Sequence, residues 1–227
     1  MRLTVFNGSP RGKGSNTKVL LEHFMNGFMT TDGNTYELAY LVRINDREDF
    51  IKLFQEAEHV LLAFPLYADA MPAVVKTFIE SLEPLCGRQG NTDIGFIVQS
   101  GFPEPNHSRY VERYLEKLTK RLGCGYKGTV IKGGVEGIRA TPDRMNRSLF
   151  KSFYDLGKAF GETGEFDKQI VFKLGQPERL TKFHFWIMKL MTHKLYWDKM
   201  LKNNNAFEKR FARPYAVEGK ADLKPEF

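Results

Sequence analysis

The sequence has 227 residues, of which 42% are hydrophobic, enough to bury the core of one domain with an addition or of two small domains. Its two cysteines, Cys86 and Cys124, are widely separated, which argues against a disulfide scaffold or a zinc site and fits a reducing compartment. The sequence enters a strand without a basic and apolar leader, and no uncharged apolar run is long enough to cross a bilayer. We therefore expect a cytoplasmic protein without a metal site.

The net charge of +7 comes from the C-terminal part of the sequence. From Lys168 onward there are 13 Lys and Arg against 6 Asp and Glu, whereas the first 167 residues hold 21 of each charge. A surface that binds a nucleic-acid backbone needs a positive face. The neutral N-terminal part therefore argues against nucleic-acid binding by the core.

The first loop joins a predicted strand to a predicted helix. Residues 3–6 form a short apolar run, and a helical pattern begins after Thr17. The unpaired N–H groups and the dipole at a helix start attract phosphate, and residues 9–17 add hydroxyls, glycines and two cations. We interpret this loop as an anion-binding site, with an ordinary glycine-rich turn as the alternative.

Two common phosphate motifs do not fit this loop. A P-loop needs four residues between its first glycine and Gly-Lys-Ser/Thr, but Gly8 and Gly12 enclose only three, and Gly14 stands at the Ser/Thr position. In a dinucleotide fingerprint started at Gly12, Thr17 takes the place of the third glycine. A hydroxyl-rich loop suits a terminal phosphate better.

Strand and helix patterns alternate along the first 165 residues. Strands are predicted at residues 3–6, 35–42, 59–64, 94–98 and 129–132. Helices are predicted after Thr17, from Asp46 to 58, from Met71-Pro72, before Gly123, and at 143–160. This alternation predicts an α/β fold with a doubly wound five-stranded parallel sheet of flavodoxin-like order 2-1-3-4-5.

The predicted topology brings three unusual loops together. Ligands bind such sheets at the carboxyl ends of the strands, where the strand order reverses between the first and third strands. The loops at residues 9–17, 65–71 and 99–107 would meet there. This convergence favours a binding function for the first loop.

Two motifs carry a family resemblance. Gly-Ser-Pro-Arg-x-x-x-Ser-Asn-Thr at residues 8–17 and Pro-Leu-Tyr-x-x-x-Met-Pro-x-x-x-Lys at residues 65–76 resemble the NAD(P)H-dependent FMN reductase family of the flavodoxin-like superfamily. The resemblance implies a bound FMN that carries the chemistry, with no catalytic side chain. It implies phosphate contacts from Ser9, Arg11, Ser15, Asn16 and Thr17, contacts with the flavin ring from Pro65, Leu66 and Tyr67, and contacts at the ring's other edge from Gln99, Ser100 and Gly101. The related iron–sulfur flavoproteins carry a cysteine cluster after the second strand, but residues 41–46 contain no cysteine, which excludes that cluster there.

The resemblance also implies a reaction. Hydride would pass from NAD(P)H to FMN and then to a quinone, azo, nitro or flavin acceptor, with ping-pong kinetics and in a homodimer. A flavodoxin-like electron carrier with a protein redox partner and a non-catalytic flavin- or partner-binding module are the alternatives.

Residues 166–227 are predicted to form a helical, basic C-terminal extension. Apolar residues recur at helical spacing from Leu180 to Met191 and continue at Leu195, Tyr196, Trp197, Met200 and Leu201, with lysines between them. Three roles stay open for this extension. These are packing on the core or on a second subunit, forming a lid over the flavin, and peripheral contact with an anionic membrane.

Overall fold

The structure, a computed structural model, describes residues 1–191 and 197–212 and divides the chain into two compact units, Met1–Arg179 and Leu180–Phe227. The first unit holds five strands: β1 (Arg2–Asn7), β2 (Thr35–Tyr40), β3 (His59–Pro65), β4 (Asp93–Gln99) and β5 (Gly125–Lys132). Its helices are α1 (Asn16–Phe28), α2 (Arg47–Gln55), α3 (Ala73–Ser81), α4 (Arg109–Leu122), α5 (Asp143–Thr163) and α6 (Lys168–Leu174).

The sheet confirms the predicted fold class. All strand pairs are parallel, and the order is β2-β1-β3-β4-β5. Helices α1 and α5 cover one face, and α2, α3 and α4 cover the other. The register places Pro65 beside Gln99, and Gln99 beside Lys132, so the carboxyl ends of three neighbouring strands lie level.

Most predicted elements are confirmed, with shifts at their ends that have local causes. The second strand ends at Tyr40 because Arg43 N–H turns back to the Tyr40 carbonyl. The last strand begins at Gly125, earlier than predicted. Its first residues lack a clear apolar pattern because Gly128 (φ +107°) and a register shift interrupt the strand there. Asp46 stands before α2 but makes no capping hydrogen bond; its carboxylate pairs with Arg43 at 2.9 Å.

The first unit continues beyond the predicted boundary after residue 165. Phe166 and Leu174 are buried in the core formed with α1 and α5, so the segment through α6 packs with the sheet domain. The second unit contains α7 (Lys182–Met191) and α8 (Asp198–Asn203), where helices were predicted. Leu195 and Tyr196 lie outside the described residues. Among those described, the helices are too short or too polar to cross a membrane.

Candidate functional site

The loop after β1 is held together by buried polar side chains. Asn7 Oδ1 accepts a hydrogen bond from Ser9 N–H at 2.9 Å, and Asn7 Nδ2 donates to Ser15 Oγ at 3.4 Å. Ser15 Oγ also donates to the Gly12 carbonyl at 2.7 Å and accepts from Lys18 N–H at 3.1 Å. Ser15 is therefore the N-cap of α1, and its buried hydroxyl is occupied within the loop.

The first turn of α1 faces two other loops. The N–H groups of Asn16 and Thr17 have no partner inside the helix, because the first turn of a helix leaves its donors unused. The Asn16 side chain donates to the Val135 carbonyl at 2.8 Å, and Thr17 Oγ1 accepts from Gln99 Nε2 at 3.2 Å. These bonds tie the helix start to the end of β4 and to the loop after β5.

The loop after β3 makes a tight reversal. Tyr67 and Ala70 exchange two backbone hydrogen bonds of 2.8 and 3.0 Å. Between them, Ala68 (φ +46°) and Asp69 (φ +62°) adopt the left-handed conformation that non-glycine residues rarely occupy. Backbone strain of this kind clusters at functional sites. The turn presents Tyr67 as a partly exposed ring at the carboxyl edge of the sheet.

A pocket lies where these loops meet. Eight of the eleven predicted cofactor residues line it: Ser9, Arg11, Asn16, Pro65, Leu66, Tyr67, Gln99 and Gly101. The other three, Ser15, Thr17 and Ser100, are buried and do not line the pocket. Ser100 Oγ donates to the Phe102 carbonyl at 3.1 Å and so shapes its own loop. The three predicted loops thus converge on one cleft.

Glu136 is a lining residue that the sequence interpretation missed. It follows β5, and its Oε1 accepts from both terminal nitrogens of Arg11 at 3.4 Å. Glu136 and Arg11 are 125 residues apart in the sequence, so only the folded chain brings them together. A carboxylate beside the loop cation weakens the positive potential that an anion would meet.

A contact between two side chains braces the strained turn. Asp69 Oδ1 lies 3.3 Å from His107 Nδ1, and the His107 ring stacks on Phe102 with centroids 4.8 Å apart. The geometry gives His107 a role in joining the loops after β3 and β4.

One family model matches the N-terminal part of the sequence. Residues 1–98 match the family model of the NADPH-dependent FMN reductases. The matched part includes the loops after β1 and β3 and ends within β4. No curated protein matches the sequence.

Solved structures with the same fold include flavin-related reductases. An FMN-dependent NADH-azoreductase from Bacillus anthracis, solved with FMN, is 14% identical with a TM-score of 0.55, covering 70% of this chain and 99% of its own. An NAD(P)H:quinone oxidoreductase from Methanothermobacter marburgensis is 16% identical with a TM-score of 0.57, covering 70% and 96%. Azoreductase AzrA is 17% identical with a TM-score of 0.54, covering 70% and 100%. At these identities the likeness establishes the flavodoxin-like fold.

The chemical groups that line the cleft match those that a flavin mononucleotide requires. Its phosphate requires hydrogen-bond donors and positive charge, which the first N–H groups of α1 and the Arg11 guanidinium offer at the loop after β1. Its flat ring requires apolar and aromatic contact, which Pro65, Leu66 and Tyr67 offer at the other loop. Glu136 is the one lining group that opposes phosphate binding.

Proposed function

We propose that this protein is an FMN-dependent NAD(P)H oxidoreductase that reduces a small quinone, azo, nitro or flavin acceptor. The observation that carries the proposal is the convergence of eight FMN-reductase-type residues on one pocket, in a chain whose first 98 residues match that family. Bound FMN supplies the hydride-transfer chemistry.

The residues of this chain bind and orient the cofactor. Arg11 and the N–H groups of Asn16 and Thr17 would hold the phosphate. Ser15 stabilises the loop through its hydrogen bonds with Gly12 and Lys18. Tyr67 would lie against the ring, positioned by the left-handed turn and by the Asp69–His107 pair. NAD(P)H and the acceptor would use the same face of the flavin in turn, so NAD(P)H would leave before the acceptor binds, which gives ping-pong kinetics. An ordered ternary complex in steady-state kinetics would contradict this part of the proposal.

We further propose that the protein acts as a homodimer. The pocket is bounded by loops at one edge of the sheet, and Tyr67 and Phe102 beside it remain partly exposed. A second copy packed over this edge would shield them from water. Sedimentation equilibrium of the flavin-loaded protein measures this directly, and a monomer at micromolar concentration would contradict it.

The phosphate contact is tested by comparing FMN with riboflavin, which lacks the phosphate. Replacing Arg11 by Ala removes a charged donor, so FMN affinity should fall about tenfold to a hundredfold while riboflavin affinity stays within about twofold. Arg2→Ala is the matched control, because Arg2 is also more than half exposed and also pairs with a glutamate, at the opposite end of β1. Equal losses for both ligands would place the phosphate elsewhere.

A further inference from the structure

The second unit exposes large aromatic side chains at high density. Phe183, Phe185 and Trp186 of α7 are 67%, 57% and 62% exposed, and Trp197 before α8 is 50% exposed. Exposed apolar clusters of this kind mark contact sites for a partner or a membrane. We propose that this basic aromatic surface, residues 182–186 and 197–211, binds the headgroup region of an anionic membrane.

The charge of this surface matches that partner. Its exposed cations are Lys182, Lys199, Lys202, Lys209 and Arg210. These five basic residues stand against two acidic residues in the same segments, Asp198 and Glu208. A basic side chain near an anionic bilayer strengthens binding roughly fivefold. Several of them together with aromatic anchors are sufficient for peripheral binding.

Cations and rings are also interleaved at the level of single contacts. The Arg210 guanidinium lies 3.8 Å from the centroid of Phe207 and 4.9 Å from that of Phe211, and Lys202 Nζ lies 4.9 Å from Phe207. Long basic side chains that lie along aromatic rings place their apolar stems against the rings and leave their charged ends in the polar environment. This arrangement suits a boundary with acyl chains on one side and lipid phosphates on the other.

The same charge argues against a second copy as the occupant. A two-fold interface places the same patch of both subunits face to face. Two patches with a net charge of +3 each would then repel, because like charges juxtaposed in an interface cost binding energy. An anionic surface removes that repulsion.

The test uses the full chain and vesicles of phosphatidylcholine with or without about 30% phosphatidylglycerol, a composition that sets the surface charge. Trp186 and Trp197 are the only tryptophans in the sequence, so tryptophan emission reports on this surface alone. We expect co-sedimentation with anionic vesicles at low salt, a shift of emission to shorter wavelength, and release in about 0.5 M salt. Neutral vesicles should neither bind the protein nor shift its emission.

Two variants and a control make the proposal specific. Replacing Phe183, Phe185 and Trp186 together by Ser should weaken binding at least about tenfold. Replacing Lys182, Lys199 and Lys202 together by Gln should weaken it about a hundredfold at low salt. Tyr110→Ser in the first unit is the matched control, since Tyr110 is 73% exposed and also lies under an arginine, yet should bind like the wild type.

Three results would overturn the proposal. The first is no co-sedimentation with anionic vesicles. The second is co-sedimentation with unchanged tryptophan emission, which would place the contact elsewhere. The third is a concentration-dependent emission shift without vesicles, which would assign the surface to self-association. None of these measurements depends on the flavin, and circular dichroism checks that the variants, altered only at exposed positions, stay folded.

Discussion

At the scale of single residues, Glu136 sets the electrostatics of the candidate phosphate site. Its carboxylate pairs with Arg11 across the pocket, and both side chains are more than half exposed. Solvent screening therefore keeps the pair itself weak. Its effect on a dianionic ligand is larger, because the same carboxylate repels the phosphate and competes for Arg11.

Replacing Glu136 by Gln should tighten FMN binding about threefold to tenfold, because it removes that repulsion and frees Arg11. Fluorescence quenching of FMN on titration with protein measures the change, and riboflavin affinity should stay constant. Glu37→Gln is the control, since Glu37 is an exposed partner of Arg2. Weaker FMN binding in the Glu136 variant would mean that the carboxylate positions Arg11 for the phosphate.

Ser15 is predicted to act through the fold of the loop rather than through direct contact with the cofactor. Ser15→Ala removes the N-cap of α1 and leaves buried Asn7 short of a partner. We expect a loss of about 1–2 kcal/mol in the free energy of unfolding, measured with urea. Ser81→Ala, which removes a single hydroxyl bond to the Phe78 carbonyl, should cost less. An unchanged stability in Ser15→Ala would contradict the buried capping network.

At the scale of elements, α1 and α5 cross at glycines. A Cβ atom built on Gly157 would overlap the Phe24 carbonyl oxygen, and one on Gly27 would overlap the Tyr154 carbonyl oxygen. Each glycine therefore allows the backbone of the other helix to approach closely, because it has no side chain in the way. This close crossing holds α1 and α5 together on one face of the sheet.

Gly157→Ala should destabilise the protein by about 3 kcal/mol or more, because the overlap is with backbone that cannot move aside. The better helix propensity of alanine offsets only about 1 kcal/mol of this loss in the free energy of unfolding. Gly90→Ala is the control, since a Cβ there meets nothing within 4 Å. Urea unfolding compares the two, and a neutral Gly157 variant would show that the helices are able to separate.

The left-handed turn at residues 68–69 stores strain that glycine would relieve. Ala68→Gly should raise the free energy of unfolding by about 0.5–1 kcal/mol, although glycine elsewhere costs stability through chain entropy. Ala159→Gly in α5 is the contrasting control and should lower it by about 1 kcal/mol. If both substitutions lower stability equally, the turn is not strained.

At the scale of the whole molecule, an ion pair ties the chain beyond α6 back to α4. Arg109 Nε and Nη2 donate to the two carboxylate oxygens of Glu178 at 3.0 and 2.7 Å. The hydrogen bonds from Arg109 lower the pKa of Glu178 below its usual value. Because the folded-state pKa is depressed, the pair stabilises the fold above the unfolded-state pKa and is lost as the pH falls through the folded-state value.

Glu178→Gln should therefore lower the free energy of unfolding by about 1 kcal/mol at neutral pH, an amount discounted for the partial exposure of both side chains. The difference from the wild type should shrink as the pH falls from about 6 to about 3. Glu162→Gln, in a longer pair with Lys158 at 3.9 Å, should have little effect at either pH. A difference that does not depend on pH would exclude the ion pair as its source.

Much of the fold was predictable because strand and helix periods alternate clearly through residue 165. The sheet order followed from the fold class, and the convergence of three loops followed from the sheet order. The missed features depend on contacts between distant residues. Glu136 reaches Arg11 only after the sheet forms, and Gly157 meets Phe24 only through the crossing of two helices. The strain at Ala68 gave no signal because neither it nor Asp69 is a glycine.

The most direct test is an anaerobic absorbance titration of the purified, FMN-reconstituted protein with NADPH and, separately, NADH. We expect a protein-bound flavin band that bleaches on addition of a nicotinamide and returns when a quinone or azo acceptor is added. A bound flavin that stays oxidised with both nicotinamides would contradict the reductase function and favour an electron carrier. The absence of any bound flavin would contradict the assignment of the pocket itself.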